Sequence, residues 1–317
     1  MHPLAGTLVA DFTWNLPGPF ASGELQRLGA RVVRVEPPEG DPMRSAAPAW
    51  HDAVNAGKES IVCDLKAEDG LALANGLCTR ADVVLEGFRP GVLARLGVVV
   101  PETAVLCSLT GFGLGNRHEQ RTGHDLNYLG WAGVLADTAP ALPPTQIADL
   151  AAGGLSAALE VVAALLERAR TGRGARLTVS MTHGSHRLVA HRRGGLPERT
   201  LTGGLACYRI YATADGRWLT VGALEPKFFR RLCEVVGRPE LGERQFGPDQ
   251  EAVAVELAEA IAGRTLAEWL ELMDGEDVCA GPVWTIAEAA GEFGVEPAGR
   301  APSVGEDTEA WRAELGL

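Results

Sequence analysis

The sequence predicts an α/β fold in which a parallel sheet with crossover helices is followed by a smaller α+β unit. The 317 residues are 46% hydrophobic and 22% charged, which is typical of a folded chain long enough for two domains. The first third alternates short β-branched runs with stretches of helix length. A hairpin pattern then begins a new unit near Gly203.

Five β-branched runs bounded by breaker residues predict the strands of the first unit. The stretches between them are long enough for crossover helices, which join parallel rather than antiparallel neighbours. We therefore expect a parallel sheet. The predicted strands are Leu8–Phe12, Arg31–Glu36, Ser60–Leu65, Val83–Glu86 and Ala104–Leu109.

A histidine and an aspartate at two separate element starts are the candidate catalytic pair. His124 lies in the run Gly123–Tyr128, and Asp149 lies at or just before an alanine-rich helix predicted over Leu155–Arg168. Two such groups can approach one carbon from opposite faces, as abstracting a proton and returning it to the other face requires. The helix start could also hold a developing oxyanion. Alternatively, Asp149 is only an N-cap, the usual role of aspartate there.

The amino-acid composition of the chain becomes more polar after Met181. Residues 183–202 hold three histidines, several arginines and two adjacent glycines, which predicts a polar linker. The histidines could be taken for a metal cluster, but they lack a carboxylate or cysteine companion at a motif spacing. We therefore favour a solvated linker and expect no metal site at His183, His186 and His191.

The second unit opens with a strong hairpin signal, in which Cys207–Tyr211 and Trp218–Gly222 flank the turn Asp215–Gly216. Glu225 follows at a strand-to-helix corner beside a proline, where it could be only a first-turn acid favoured by the helix dipole. Helical patterns come next, over Phe228–Val236, Ala252–Ala262 and Leu266–Met273.

Composition argues against several classes of protein. A formal net charge of -12 disfavours nucleic-acid binding. No apolar run reaches the length of a membrane span, and residues 1–11 lack the pattern of a signal peptide, so we expect a cytoplasmic protein without a membrane partner. The six cysteines are dispersed without a CxxC pair, and we expect neither disulfides nor a zinc site.

The phosphate loops of the common nucleotide folds are missing, since neither GxxxxGK[ST] nor a GxGxxG after the first strand occurs. The glycine-rich run Ser108–Gly115 could cradle a phosphate, but a lone GxGxG more often marks a flexible turn. A phosphate-bearing ligand must therefore meet a local basic cluster. The first third offers Arg31, Arg34, Arg44, Lys58, Arg89 and Arg95 near predicted strand ends.

Many ordered motifs resemble those of the family III CoA-transferase and racemase family over nearly the full length. Transferases and racemases of this family share an aspartate that falls on Asp149. The racemase branch adds a histidine in a Gly-His-Asp-x-Asn-Tyr motif and a glutamate in a Glu-Pro motif, matched by His124 and Glu225. The other matching segments are Leu16–Phe20, Leu28–Glu36, Asn55–Lys58, Asp64–Lys66, Gly87–Val92, Ser108–Gly113, Ala214–Arg217, Gly222–Pro226 and Ala280–Val283.

The resemblance implies α-proton exchange on a 2-methylacyl-CoA thioester, without a metal or a redox cofactor. Asp149 and His124 would be the two acid/base groups, Glu225 would orient His124, and backbone N–H groups around Asp149 would hold the enolate. Coenzyme A would belong to the substrate, with Arg34, Lys58, Arg89 and Arg95 as its expected contacts. Burial of Asp149 would narrow the gap between the ordinary pKa values of aspartate and histidine.

The family fold implied is a Rossmann-like large domain over residues 1–182, completed by residues 290–317. A linker over 183–202 and a small domain over 203–289 complete the chain. The resemblance also implies an interlocked homodimer, in which His124 and Asp149 come from one chain and Glu225 from its partner.

Three hypotheses stay open at this point. The first is racemisation with Asp149 as a base. The second is CoA transfer, in which the same carboxylate attacks the thioester and passes through an aspartyl-CoA thioester. The third is a CoA-binding protein without activity, because the short connection between Met181 and Gly203 has altered the site.

Overall fold

The structure, a computed structural model, describes residues 2–194, 200–295 and 299–317. The chain forms two compact units, Met1–Ala190 with Pro297–Leu317, and His191–Glu296. The first unit thus extends eight residues beyond the boundary expected at 182, and the chain returns to it near 297 rather than 290. Residues 195–199 of the expected linker lie outside the described residues.

A six-stranded parallel sheet, in the order β3-β2-β1-β4-β5-β6, forms the centre of the large unit. The five predicted strands are all present within a few residues, and a sixth joins them. Strand β3 is shorter than expected because the chain turns away after Val62. The strands are β1 (Leu8–Phe12), β2 (Arg31–Glu36), β3 (Glu59–Val62), β4 (Val83–Glu86), β5 (Val105–Thr110) and β6 (Arg176–Ser180).

Helices cover both faces of this sheet, since buried residues lie on each side of the same strands. Val9 and Val32 pack in one cluster, whereas Ala10 and Val33 pack in another. This continuous burial explains why the strands read as unbroken apolar runs. The helices are α1 (Pro17–Arg27), α2 (Met43–Ala46), α3 (Pro48–Asn55), α4 (Glu68–Arg80), α5 (Val92–Arg95), α6 (Asp125–Trp131), a π-helical segment (Ala148–Leu155), α7 (Ser156–Thr171) and α8 (Met181–Leu188).

The linker prediction is wrong for residues 183–188, which lie in helix α8. Ser180 caps this helix by accepting a hydrogen bond from the His183 N–H, and Gly184 allows it to approach the backbone of Ala152 closely. The imidazole of His186 contacts the carbonyl of Ala132. Within the described residues, no three histidine, cysteine, aspartate or glutamate side chains are grouped as metal ligands.

The small unit is an antiparallel sheet packed against helices, as the hairpin pattern predicts. Tyr211, Phe229, Leu257 and Trp269 are buried in its core. Its strands are β7 (Tyr208–Ala212), β8 (Trp218–Gly222) and β9 (Ala280–Pro282). Its helices are α9 (Pro226–Val235), a 3-10 segment (Pro239–Arg244), α10 (Gln250–Ile261), α11 (Leu266–Met273) and α12 (Ile286–Phe293).

The C-terminal segment returns to the large unit and covers its edge strand. The Ser60 N–H donates to Asp307 at 2.9 Å, and the Val62 N–H donates to Thr308 Oγ1 at 3.0 Å, at the start of α13 (Thr308–Leu315). Trp311 is buried and donates to Glu59. These contacts satisfy backbone groups that an edge strand otherwise exposes.

The continuous helical stretch Ala148–Thr171 is a candidate membrane span by length and composition, since an 18-residue window in it has a mean hydropathy of 1.6. This differs from the expectation that no run reaches that length. Its buried residues, among them Ala157 and Val161, pack in the core of the large unit. A core helix passes the same test of length and composition.

Candidate active site

The candidate site lies at the carboxyl edge of the large sheet, beside β1 and β4. The strand order reverses direction between these two neighbours, and open α/β sheets bind ligands in the crevice at such a switch point. Trp14 follows β1, and Gly87 and Phe88 follow β4. All three residues line a cavity of about 360 Å³, together with His124 and Asp149.

His124 stands at the N-cap of α6, with its imidazole exposed toward this cavity. Its backbone N–H donates to Asn127 Oδ1 at 3.0 Å, which fixes the start of the helix. The Tyr128 hydroxyl donates to the Gly123 carbonyl, and its ring packs so tightly on Gly111 and Gly123 that a Cβ there would clash. The Gly-His-Asp-x-Asn-Tyr motif therefore shapes the backbone that carries the histidine.

Asp149 is the second residue of the π-helical segment, which packs between α1 and α8. A Cβ at Gly154 would lie 2.6 Å from Phe20, and one at Gly153 would lie 3.0 Å from Met181. The N-cap of the segment is Ile147. The alternative that Asp149 is only an N-cap is therefore wrong, and its carboxyl is left to the cavity. π-Helical turns occur often at functional sites.

Burial and a neighbouring charge alter the acidity of Asp149. Burial first, and the negative charge of Asp125 second, raise the pKa of the Asp149 carboxyl to about 7. No lysine or arginine is among the described residues that line this cavity. As expected, burial brings the pKa of Asp149 close to the ordinary pKa of histidine. Asp149 can therefore exchange a proton near neutral pH.

The backbone groups expected to hold the enolate are already occupied. The Asp149 N–H donates to Asp125 Oδ1 at 2.9 Å, and the Leu150 N–H donates to the Gln146 carbonyl at 2.9 Å. The segment begins before Asp149, so its N–H groups are not the free ones of a helix start. The expectation of an oxyanion site at these two groups is therefore wrong.

Two further cavities adjoin the first and extend it into a groove. One of about 370 Å³ shares Phe12, Trp14 and Phe88 with it and continues to Lys66. The other, of about 660 Å³, shares His124 and Tyr128 and continues to basic residues. The rings of Trp14 and Phe88 meet edge to face at 6.3 Å where the first two join. The groove can thus take a long ligand that passes the His124–Asp149 pair.

Arg34 and Lys58, two of the expected coenzyme A contacts, are buried inside the large unit. Arg34 pairs with Asp41 at 2.8 Å and also contacts His51. Lys58 Nζ donates to the Pro19 carbonyl, Ser22 and Asn55 at 2.6 to 3.0 Å. Burial lowers the pKa of Lys58 to about 7. In this structure both side chains therefore have their partners inside the large unit around β2 and β3.

Arg89 and Arg95 are both exposed, but only Arg89 lies in the groove. Arg89 lines the cavity of about 660 Å³, whereas Arg95 ends α5 and is absent from the described linings of all three cavities. Two basic residues of the groove were not expected from the sequence. Arg121 lines the same cavity as Arg89, and Lys66 lines the cavity of about 370 Å³. Arg121 lies two residues before the Gly-His-Asp motif, a position that could have indicated it.

The glycine-rich run after β5 is a turn with internal hydrogen bonds, as favoured above. The Gly113 N–H donates to Thr110 Oγ1 at 3.0 Å, and the Gly115 N–H donates to Glu119 at 2.8 Å. Gly113 has a positive φ of 79°, which requires glycine. These donors are therefore not free for a phosphate.

Glu225 lies in the small unit, at the N-cap of α9, and its side chain is exposed. It makes no capping hydrogen bond to the first turn of the helix. Gln245 donates to the Leu224 carbonyl at 2.8 Å and fixes the backbone just before it. The carboxylate is thus held at a corner without a local structural partner among the described residues.

Comparisons with known proteins give the same family as the motifs. CoA-transferase family III matches residues 4–308. Human alpha-methylacyl-CoA racemase is 35% identical over 313 residues, covering 90% of this chain and 78% of that protein. Acetyl-CoA:oxalate CoA-transferase of Acetobacter aceti is 32% identical over 322 residues, covering 91% and 82%. The chain belongs to CoA-transferase family III.

A solved structure supports the fold. The crystal structure of a CAIB/BAIF family protein from Brucella suis superposes with a TM-score of 0.86 and covers 99% of both chains at 27% identity. The chain is therefore an enzyme of a family that contains both racemases and CoA-transferases.

Proposed function

We propose that the protein is a racemase that exchanges the α-proton of 2-methylacyl-CoA thioesters by 1,1-proton transfer through an enolate. The observation that carries the proposal is that His124 and Asp149 line one cavity, and that Asp149 can hold a proton near neutral pH. One group removes the α-proton while the other delivers a proton to the opposite face. The reaction transfers no electrons, so we propose no cofactor beyond the coenzyme A of the substrate.

The groove supports a position for the coenzyme A part. Its length suits an extended ligand, with the nucleotide near Lys66, the pantetheine arm past Trp14 and Phe88, and the thioester between His124 and Asp149. Arg89 and Arg121 would meet an anionic group of the ligand. Arg34 and Lys58 have no such role in this proposal because they are buried.

The resemblance to the family also suggests a dimer and a role for Glu225. We propose an interlocked homodimer in the cytoplasm, in which Glu225 of one chain orients His124 of the other. Its support is the exposed carboxylate of Glu225 and the exposed leucines of the long helix, Leu155, Leu159 and Leu166. Apolar side chains exposed along one helix are typical of a surface that another chain covers.

CoA transfer is the second candidate, favoured by the similarity to an oxalate CoA-transferase and by the shared position of Asp149. Its carboxylate would attack the thioester carbonyl and release the CoA thiolate, forming an anhydride. The thiolate would then attack the aspartyl carbonyl of the anhydride, which expels the donor carboxylate and leaves an aspartyl-CoA thioester. An acceptor carboxylate would displace the thiolate to form a second anhydride, and the thiolate would attack the acceptor carbonyl, giving the new acyl-CoA and freeing the Asp149 carboxylate.

NMR in D2O tests the two functions against each other. The protein is incubated with a 2-methylacyl-CoA and no acceptor acid. Racemisation predicts loss of the α-proton signal and interconversion of the two epimers. If neither occurs while the protein is folded, racemisation is wrong, and acceptor acids are then added. Hydroxylamine trapping of an Asp149 hydroxamate, with acyl-CoA alone, would support transfer.

His124→Ala should separate the two reactions. We expect α-proton exchange to fall by about 10²- to 10⁴-fold, because one of the two acid/base groups is lost. His183→Ala is the matched control, since this imidazole contacts Ser180 and should leave exchange unchanged. Exchange that persists in His124→Ala would contradict the role given to the histidine.

Arg89→Gln should weaken substrate binding rather than the proton transfer. We expect KM for the acyl-CoA to rise by about tenfold with kcat little changed, because a charge-assisted hydrogen bond contributes about 1.5–3 kcal/mol. Arg95→Gln is the comparison, and its KM should change less because Arg95 lies outside the described cavity linings. Steady-state kinetics at two salt concentrations measures both, and an equal effect of the two variants would contradict the assignment.

A further inference from the structure

Asp125 connects the two elements that carry the candidate catalytic groups. It is the first residue of α6, directly after His124, and its Oδ1 accepts the Asp149 N–H at 2.9 Å. This hydrogen bond joins residues 24 positions apart in the chain. The start of α6 and the second residue of the π-helical segment are thereby held together, and so are the backbones of His124 and Asp149.

Asp125 is the charged neighbour that raises the pKa of the Asp149 carboxyl, in addition to burial. From α6, the titratable groups are His124, Asp125 and Tyr128, and the Tyr128 hydroxyl stays protonated because burial, with the charges of Asp149 and Asp125, raises its pKa to about 12. Helices α1 and α8 face the π-helical segment with Pro17, Phe20 and Met181.

Among the other titratable side chains of these packed elements, Arg187 of α8 is exposed, Glu160 of α7 is partly buried, and neither is in the described lining of the three cavities. Several others have partners away from Asp149. Glu24 pairs with Arg27, and His183 contacts Ser180. His186 contacts the Ala132 carbonyl, and Arg176, at the start of β6, pairs with Glu102. No lysine or arginine among the described residues that line the cavity offsets the charge of Asp125.

We propose that Asp125 is a positioning residue, which holds the Asp149 backbone and places a carboxylate beside the Asp149 carboxyl. The inference rests on the function proposed above only in that Asp149 reacts, and it holds for exchange and for transfer alike. A carboxylate beside a second carboxyl disfavours the ionised form of that neighbour. One side chain therefore acts on both the place and the basicity of Asp149.

Asp125→Asn tests the charge while keeping the hydrogen bond, because an amide oxygen can still accept the Asp149 N–H. The direct readout is the ¹³C titration of the Asp149 carboxyl, assigned by comparison with Asp149→Asn. We expect its midpoint to fall by about 1 pH unit, a typical size for the loss of a nearby like charge. The acid limb of the pH–rate profile should move down with it.

Asp125→Ala removes the charge and the hydrogen bond together. We expect the same shift of the titration, and in addition a fall in kcat of up to about tenfold, because the Asp149 N–H loses its partner. Glu119→Gln is the matched control, since this carboxylate lines the neighbouring cavity but accepts from Gly115. The Asp149 midpoint should not move in this variant.

An unchanged Asp149 midpoint in both Asp125 variants would overturn the inference. If these variants do not fold, Asp125→Ser decides, because it removes the charge while its hydroxyl oxygen can still accept the Asp149 N–H, and the Asp149 midpoint must then fall as well. A moved midpoint in a protein without exchange or transfer activity would support the inference about Asp125 and reject the proposed function. The two failures are therefore distinguishable.

Discussion

Asp149→Asn is expected to abolish both exchange and transfer while making the folded protein more stable at pH 8. The loss of activity should be at least about 10³-fold, because racemisation loses a base and transfer loses its nucleophile. The gain in stability follows from burial, since the pKa of the carboxyl is about 7 in the folded chain. An ionised Asp149 is therefore unfavourable in the folded state, and a neutral amide avoids that cost.

The pH dependence of this stability gain has a defined sign. The ordinary pKa of aspartate is 3.8, so above pH 7 both folded and unfolded chains carry the charge and the full cost is present. As the pH falls from 7 toward 4, the folded chain takes up the proton first and the cost disappears. We expect Asp149→Asn to gain on the order of 2 to 4 kcal/mol at pH 8 and little at pH 4. Urea unfolding at several pH values measures this, and a pH-independent difference would contradict it.

Arg34→Met is expected to destabilise the large unit by about 3–5 kcal/mol, because it leaves the buried Asp41 carboxylate without its partner. Urea unfolding of the variant measures the effect. Arg95→Met is the control, since Arg95 is exposed and its replacement should change the free energy of unfolding by less than about 0.5 kcal/mol.

A second variant keeps this prediction testable if Arg34→Met does not fold. Arg34→Met with Asp41→Leu removes the whole ion pair and should recover much of the loss, because no buried charge is then left unpaired. A stable Arg34→Met with a raised KM for acyl-CoA would instead place Arg34 in the ligand site, as the resemblance implies.

The fold could be predicted largely from local patterns. Strands such as Leu8–Phe12 and Val83–Glu86 are buried on both faces and therefore appear as unbroken apolar runs. Helix α8 was missed although Ser180 is a local N-cap, because the close approach of Gly184 to Ala152 that holds the helix in place is a tertiary contact. Polar residues on its exposed side resembled those of a linker.

His124 and Asp149 could be predicted from the sequence, because their acid/base side chains and the family motifs both indicate them. The structure brings the two residues to one cavity. Residue type alone could not separate Arg34 from Arg89, because burial depends on long-range packing. Arg34 faces the buried Asp41, whereas Arg89 follows β4 in an exposed turn. The role of Asp125 was also hidden, since its partner lies 24 residues away in the sequence.

At Ser156 the π-helical segment changes to the α-helix α7, and the number of residues in this part of the chain determines where Asp149 points. Ala157 and Val161 anchor α7 in the core, while Asp149 stands on the wider turns that precede it. Adding or removing one residue between them would rotate the carboxyl by about 100° around the axis relative to the anchored face. The direction of the Asp149 carboxyl therefore depends on the number of residues between Asp149 and Ala157, as well as on their identity. Point substitutions in this segment leave that count intact, whereas an insertion or deletion of one residue redirects the carboxyl.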